Sequence, residues 1–358
     1  MIKKAFGKTG KYISAIGQGT MGIGGYFERD ETRDDFFTEL LKTGIAYGMT
    51  FIDTAPAQAE GHSEELVGRA VKHIRKGVFI STKVSPENLA YKKVILSVDK
   101  SLLRLKTDYI DLLQIHWPNP RFDLEETLGA MGELVHVGKV RYLGLSNFSL
   151  QKLKEAHESF TKRKIASVQL EYNLFDRTIE DDILPYCVTN RIAVIAYSPL
   201  AKGKFIKGDD KIIFMARLAK KYGKTSAQIA LRWLVNHDNV FAIPKAARLD
   251  HLKENATSGD FRLEQKDIDL IDRLFKQESI LIPTSAIYAD KIGLEKFMPN
   301  VEDLAEAFRS GETIKPIRVV PGRTKPKKFT YDLVEGKLRY WAWVRAKDGK
   351  VPIPALIR

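Results

Sequence analysis

One cysteine, Cys187, stands in the whole 358-residue chain. No internal disulfide can form, which excludes the disulfide-stapled secreted scaffolds and fits a reducing compartment. Long apolar stretches are missing too, so no run of about 18 residues suits a membrane-crossing helix. The opening MIKKAFGKTG has no apolar signal-peptide core, and a cytoplasmic location is expected. The seven histidines show no metal-ligand spacing, either among themselves or with Cys187, so no metal is expected. Acidic residues are in short supply: 45 stand against 58 basic ones, a net charge of +13. Such a balance suits nucleic acid, a membrane surface or phosphorylated ligands, and the position of the charge decides among them. Disorder is excluded by composition, with 44% hydrophobic and 29% charged residues. The length allows two domains, or one barrel with an appendage.

From residue 13 to about 256 two textures alternate. Short β-branched or apolar runs lie at 13–17, 50–54, 77–83, 110–116, 140–146, 166–172, 193–197 and 240–244. Helical periodicity fills the gaps, at 63–74, 89–105, 124–137, 150–159, 180–189 and 227–236 among others. This alternation predicts a parallel sheet with helices outside it, and eight repeats predict closure into a (β/α)8 barrel. An open doubly wound sheet is the alternative, and Gly17-Gln-Gly-Thr-Met-Gly-Ile-Gly-Gly25 resembles its dinucleotide turn. No strand with an acidic residue about 20 positions on follows in the context that turn requires. The glycines read instead as a barrel loop that lets backbone approach a ligand.

Polar residues at the C-terminal ends of barrel strands build the active site. Here the second strand ends in Asp53-Thr54-Ala55, the third in Ser81-Thr82-Lys83, the fourth in His116-Trp117 and the fifth in Ser146-Asn147. A carboxylate, an amine and an imidazole at neighbouring ends converge over the barrel mouth. The carboxylate holds the ammonium, and an imidazole can hydrogen-bond a substrate carbonyl oxygen.

These residues sit in Phe51-Ile-Asp-Thr-Ala55, Gly61-His-Ser-Glu-Glu65, Ser81-Thr-Lys83, Asp111-Leu-Leu-Gln-Ile-His116 and Gly144-Leu-Ser-Asn-Phe148. Further on come Gln169-Leu-Glu-Tyr-Asn173, Ala196-Tyr-Ser-Pro-Leu200 and Ile243-Pro-Lys245 with Glu254-Asn255. In this order and spacing they resemble the aldo-keto reductase family over residues 3–275. The resemblance implies hydride exchange between NAD(P)H and a carbonyl or alcohol. It also implies four catalytic residues, an Asp, a Tyr, a Lys and a His. Three fall on Asp53, Lys83 and His116. Where the tyrosine is expected, five residues after Asp53, stands Gln58, followed by Ala59. A phenol can give up a proton and a carboxamide cannot. Gln58 can still donate a hydrogen bond, and His116 could then act as the acid. Three readings stay open: a slow or altered reductase, an enzyme of changed chemistry, and a cofactor-binding protein without turnover. Glu60 and His62 share the loop, and neither is promoted to a catalytic role.

The same resemblance implies a cofactor site. Gly19, Thr20 and Met21 lie on the first loop. Ser146, Asn147 and Gln169 would hold the nicotinamide carboxamide. Tyr197 would stack on the nicotinamide ring, with Ser198, Pro199 and Leu200 beside it. Lys245 and Arg248 would meet the adenosine 2′-phosphate, and Asn255 the adenine. Two cations there imply NADP(H), with NAD(H) as the alternative.

After about residue 276 the texture changes to that of a small α+β domain, giving an expected division into 1–277 and 278–358. Residues 313–358 hold twelve basic and three acidic residues, so most of the charge excess sits here. Phe329, Tyr331, Tyr340, Trp341 and Trp343 are interleaved with it. Cations among aromatics suit single-stranded nucleic acid, or equally an amphipathic core helix with a charged face. Tyr331-Asp-Leu-Val-Glu-Gly336-Lys-Leu-Arg339, followed by the apolar 351–357, resembles a ParB-like/sulfiredoxin-like domain. That resemblance implies ATP, ADP or CTP phosphates at a turn formed by Gly336 and Arg339. Leu338 stands where that pattern has a basic residue or His, and no helix-turn-helix follows. Of the partners, a small carbonyl or alcohol comes first and nucleic acid last, and no membrane partner is expected.

Overall fold

The computed structural model describes residues 1–159, 164–206, 210–276, 278–291, 293–294, 300–322 and 329–357. The chain divides into two compact units, the first of residues 1–117 and 122–275, the second of 118–121 and 276–358.

The first unit is built on eight parallel strands hydrogen-bonded in chain order. They are β3 (Gln18–Gly19), β4 (Phe51–Asp53), β5 (Phe79–Val84), β6 (Ile110–Ile115), β7 (Val140–Ser146), β8 (Ile165–Glu171), β9 (Ala193–Tyr197) and β10 (Val240–Ala242). A parallel bridge between Ile16 and Ala242 joins the two ends. Gly17 N donates to Ala242 O at 2.8 Å, and Ala242 N to Ala15 O at 2.9 Å. The sheet is therefore a closed ring, as the eight-fold repeat predicts. Two glycines make closure sterically feasible. A Cβ on Gly17 would lie 2.7 Å from Phe51 O, and one on Gly19 2.7 Å from Ile243 O. Helices α1 (Asp34–Ala46), α2 (His62–Val71), α3 (Tyr91–Leu105), α4 (Leu124–His136) and α5 (Leu150–Ser159) connect the early strands. The rest are α6 (Ile183–Asn190), α7 (Asp210–Tyr222), α8 (Ser226–Leu234), α9 (Leu249–Thr257) and α10 (Gln265–Phe275). Local signals set several starts. Asp123 caps α4 through Glu126 N, and Thr225 with Gln228 forms a capping box on α8.

The run read as one strand at 13–17 is divided. Tyr12–Ser14 (β2) pairs antiparallel with Lys3–Ala5 (β1), and the chain joins the ring only from Ile16. The reason lies in Phe6, at the turn of this hairpin. It is fully buried against Phe51, Phe79 and Phe241, with ring centroids 5.1–6.3 Å apart. Phe51 and Phe79 open their strands, so the hairpin plugs the N-terminal end of the barrel. Lys4 fastens it by donating to the carbonyls of Val235, His237 and Val240 at 2.6–2.8 Å. With that end filled by apolar rings, the opposite end is left for polar side chains.

The second unit has a five-stranded mixed sheet. In spatial order it runs β11 (Ile280–Ile282), β15 (Ile353–Ile357), β13 (Ile317–Pro321), β14 (Tyr331–Glu335) and β12 (Ile287–Tyr288). Helices α11 (Val301–Arg309) and α12 (Lys337–Ala346) belong to it. Four of the interleaved aromatics, Tyr331, Tyr340, Trp341 and Trp343, pack into one core. Tyr340 is buried among Ile282, Ile287, Ile317, Val319 and Ile353, and Trp341 and Trp343 are half-buried at the edges of the same core. No helix among the described residues is long and apolar enough to cross a membrane.

Candidate functional site

Period-two alternation along a strand puts residues i and i+2 on one face. In β5 that couples Ser81 to Lys83, and in β6 it aligns Gln114 with His116 just beyond the strand. Parallel pairing then sets Asp53 beside Ser81 and Lys83 beside Gln114. The result is a buried polar cluster centred on the Asp53 carboxylate. Its Oδ2 accepts from Lys83 Nζ at 2.6 Å. Its Oδ1 accepts from Ser81 Oγ at 2.9 Å, Gln169 Nε2 at 2.8 Å and Gln114 Nε2 at 3.3 Å. Asp53 and Lys83 are each only 3% exposed. Lys83 also donates to Thr54 O at 2.9 Å. Ser81, Thr54 and Gln114 were not singled out from sequence. The strand period carries the signal for Ser81 and Gln114.

Gln58 is 8% exposed and lies in the same region. Thr20, fully buried on the first loop, donates its hydroxyl to Gln58 Oε1 at 2.6 Å, and its backbone N–H bonds Asp53 O. The carboxamide oxygen is thereby occupied, and Nε2 is left as the donor. Two of the following residues, Ala59 and Glu60, have φ of 47° and 54°. Asn147 and Ser198 share that left-handed conformation, at 62° and 47°. Such backbone is costly for non-glycine residues and gathers at functional loops. No sequence signal gave it away. His62, on the Gln58 loop, is fully buried between Asp34 (2.7 Å) and Glu65 (3.1 Å), and its work is to hold α2 against α1.

His116 is anchored by its backbone, N–H to Val84 O, while its own carbonyl accepts from Asn147 Nδ2 at 3.0 Å. No described residue bonds either ring nitrogen. Burial, helped by the Lys83 charge, pushes its pKa down to about 3. At neutral pH the ring is uncharged. It can donate one hydrogen bond, but it has no imidazolium proton to give. The expectation that His116 serves as the acid therefore loses its chemical basis.

The nicotinamide-side residues form one connected group. Asn147 Oδ1 accepts from Tyr197 OH at 3.0 Å, its Nδ2 bonds Ser146 Oγ, and its N–H bonds Gln169 O. Ser198, Pro199 and Leu200 form the turn after β9, where Ser198 O accepts from Asn173 Nδ2. Gly19 N bonds Pro244 O, bringing the first loop beside the chain that leads to Lys245. Met21 is exposed. Lys245 is half-buried, faces the Tyr26 ring at 5.6 Å, and has no carboxylate partner among the described residues. Asn255 is 3% exposed, and its Nδ2 is buried without a hydrogen-bond partner. An orphaned amide donor and an unpaired ammonium fit a dinucleotide's adenine and phosphate. Arg248 is exposed and already paired with Asp250, at 3.0 and 2.6 Å. Sequence reading counted its charge and missed the carboxylate two residues on.

In the second unit, Gly336 takes φ of 95° ahead of α12, and Arg339 Nη1 donates to the carbonyls of Lys315 and Pro316 at 2.8 and 2.9 Å. That guanidinium nitrogen holds the chain entering β13. Arg318, Lys337 and Arg345 pair with Glu335, Asp290 and Glu302. Arg323, Lys325, Lys327, Lys328 and Arg358 lie outside the described residues.

A carboxylate–ammonium pair beside a neutral imidazole at the polar end of a closed barrel is an arrangement for carbonyl chemistry. The family model described as "Aldo/keto reductase family" matches residues 15–276. The chain belongs to the aldo/keto reductase family. It is 36% identical over 264 residues to methylglyoxal reductase YeaE of Escherichia coli, covering 74% of this chain and 91% of that protein. Against the glyoxal reductase of Bacillus subtilis it is 35% identical over 246 residues, with 68% and 85% covered. Among solved structures, the thermostable aldo-keto reductase Tm1743 bound to the inhibitor epalrestat matches with a TM-score of 0.74 and 43% identity. That match covers 76% of this chain and all of the other. An aldo/keto reductase of Klebsiella pneumoniae, in complex with NADP and acetate, matches at a TM-score of 0.71 and 34% identity. It covers 77% of this chain and 96% of the other.

Proposed function

We propose that this aldo/keto reductase is an NADP(H)-dependent reductase of small aldehydes or ketones that works without an ionisable side chain at position 58. The observation that carries this reading is the Asp53–Lys83 pair, buried and fixed by three further donors on Asp53. Relatives named for methylglyoxal and glyoxal reduction, and a structural neighbour in complex with NADP, support the substrate class and the cofactor. Lys245 and Asn255 would hold the phosphate and adenine ends. Ser146, Asn147, Gln169 and Tyr197 would hold the nicotinamide. When bound, the reduced dinucleotide supplies a hydride. The chain's own residues receive the carbonyl. The neutral His116 ring and Gln58 Nε2 donate hydrogen bonds to its oxygen, and the Lys83 charge stabilises the negative charge that develops there.

The test is NADPH oxidation with methylglyoxal, glyoxal and a panel of aldehydes, ketones and sugars, alongside NADPH binding by fluorescence. Turnover that Asp53→Asn removes supports the reading. Tight binding with no turnover across the panel overturns it. That outcome establishes the second reading, a non-catalytic NADP(H) binder, which the carboxamide at position 58 favours. No nucleotide is proposed for the second unit, because Arg339 is engaged with backbone carbonyls.

A further inference from the structure

We propose that the Lys83 ammonium, rather than Gln58 or His116, is the source of the proton that reaches the substrate oxygen. This rests on the carbonyl-reductase reading above. Reduction of a carbonyl needs a hydride at carbon and a proton at oxygen, and the site must supply the second. Gln58 carries amide N–H bonds that do not ionise near neutral pH, and its Oε1 is already taken by Thr20. His116 is uncharged at neutral pH because burial and the neighbouring ammonium oppose its protonation. A neutral imidazole donates a hydrogen bond but is a very weak acid. Asp53 accepts four hydrogen bonds from side chains, so both of its oxygens are engaged as acceptors. Tyr197 has a hydroxyl, but it donates that proton to Asn147.

Lys83 differs from all of these. An ammonium has three N–H donors. Two are used, toward Asp53 Oδ2 at 2.6 Å and Thr54 O at 2.9 Å, and no described residue accepts the third. At 3% exposure the group is screened from bulk water, and its charge acts on the neighbouring His116 ring. The ionisable groups around it are Asp53, whose Oδ2 accepts its hydrogen bond, and His116, whose protonation burial and this ammonium oppose.

The bookkeeping of the step closes. Hydride from a bound dihydronicotinamide forms the new C–H bond, and the π pair of C=O moves to oxygen. An N–H bond of Lys83 breaks as the O–H bond forms, leaving a neutral amine. The carbonyl is reduced, the dihydronicotinamide is oxidised, and water returns a proton to Lys83 after the alcohol leaves. Gln58 Nε2 and His116 keep their hydrogens throughout and act as fixed donors.

The test compares wild type with Lys83→Arg and Gln58→Ala, using methylglyoxal reduction between pH 6 and 10.5, NADPH affinity by fluorescence, and ¹⁵N NMR of Nζ-labelled lysines. Lys83→Arg keeps a positive charge but releases a proton far less readily. It is expected to bind NADPH within about threefold of wild type and to lose about 10²–10⁴-fold in kcat, the usual worth of a general acid. Gln58→Ala is expected to lose only about tenfold, the worth of one neutral hydrogen bond. In wild type, kcat falls at high pH, and the midpoint of that fall coincides with titration of the lysine resonance that Lys83→Arg removes. The proposal is overturned alone if wild type turns over and Lys83→Arg stays within tenfold of it, or if Gln58→Ala loses as much as Lys83→Arg. Separation of the kinetic midpoint from the Lys83 titration also overturns it. Absence of turnover in wild type overturns the reductase reading, and this proposal with it.

Discussion

Replacing Asp53 by asparagine removes one charge from a site where solvent cannot compensate. Asp53 and Lys83 are 2.6 Å apart and each 3% exposed. The substitution keeps the shape but, among the described residues, leaves the ammonium with Thr54 O as its acceptor. Ser81, Gln114 and Gln169 all donate to Oδ1, so an asparagine oxygen placed there keeps them and turns its NH2 toward the Lys83 ammonium. Truncating one partner of a buried pair costs about 3–5 kcal/mol, most of it the stranded charge. Removing both charges, as in Asp53→Asn with Lys83→Met, costs far less, about 1 kcal/mol either way. Urea unfolding of wild type, both single variants and the double variant, followed by far-UV circular dichroism, measures each difference. A double variant much more stable than Asp53→Asn confirms a stranded charge. A loss below about 1 kcal/mol for Asp53→Asn, or a double variant no better than the single, refutes the buried-pair reasoning.

Gln58→Tyr is expected to raise kcat for methylglyoxal by about 10²-fold at neutral pH by adding an ionisable acid beside Lys83; unchanged turnover in steady-state assays contradicts that. Asp250→Asn frees the Arg248 guanidinium, which is otherwise held at 2.6 Å. It should improve NADPH affinity several-fold while leaving NADH affinity alone, as read by fluorescence titration. Phe6→Ala opens a void among Phe51, Phe79 and Phe241 and should cost about 3–5 kcal/mol in denaturant unfolding. The folded pKa of His116 lies at about 3, below its value in the unfolded chain. The unfolded state therefore binds more protons between about pH 6.5 and 3, and stability falls as pH drops through that window. A His116→Gln variant should show a shallower acid loss in the same range.

Asp53, Lys83 and His116 were legible because their positions depend on local rules. Each lies at or just beyond the end of a short apolar run, and alternation along the strand points it to the barrel axis. The repeat of strand and helix likewise carried the closed ring. The split of the first strand was not legible, because Tyr12–Ser14 has the composition of a barrel strand. Only the burial of Phe6 among three rings explains why the chain turns back there. The basic, aromatic tail was ambiguous for a similar reason. Composition does not say which way an aromatic faces, and Tyr340 faces the core of its own unit.

By itself, then, the sequence determined the alternation, the polar strand ends and the presence of a carboxamide, Gln58, five residues after Asp53. Those are properties of residue type and short spacing. Only the tertiary structure decided what Gln58 can do. The Thr20 hydroxyl that fixes its oxygen lies 38 residues away, and the Gln169 amide that completes Asp53 lies 116 residues away. Donors that far apart in the chain meet only when the ring closes. Their meeting leaves one N–H of Lys83 without an acceptor among the described residues, and no pattern of letters records a bond that is not made.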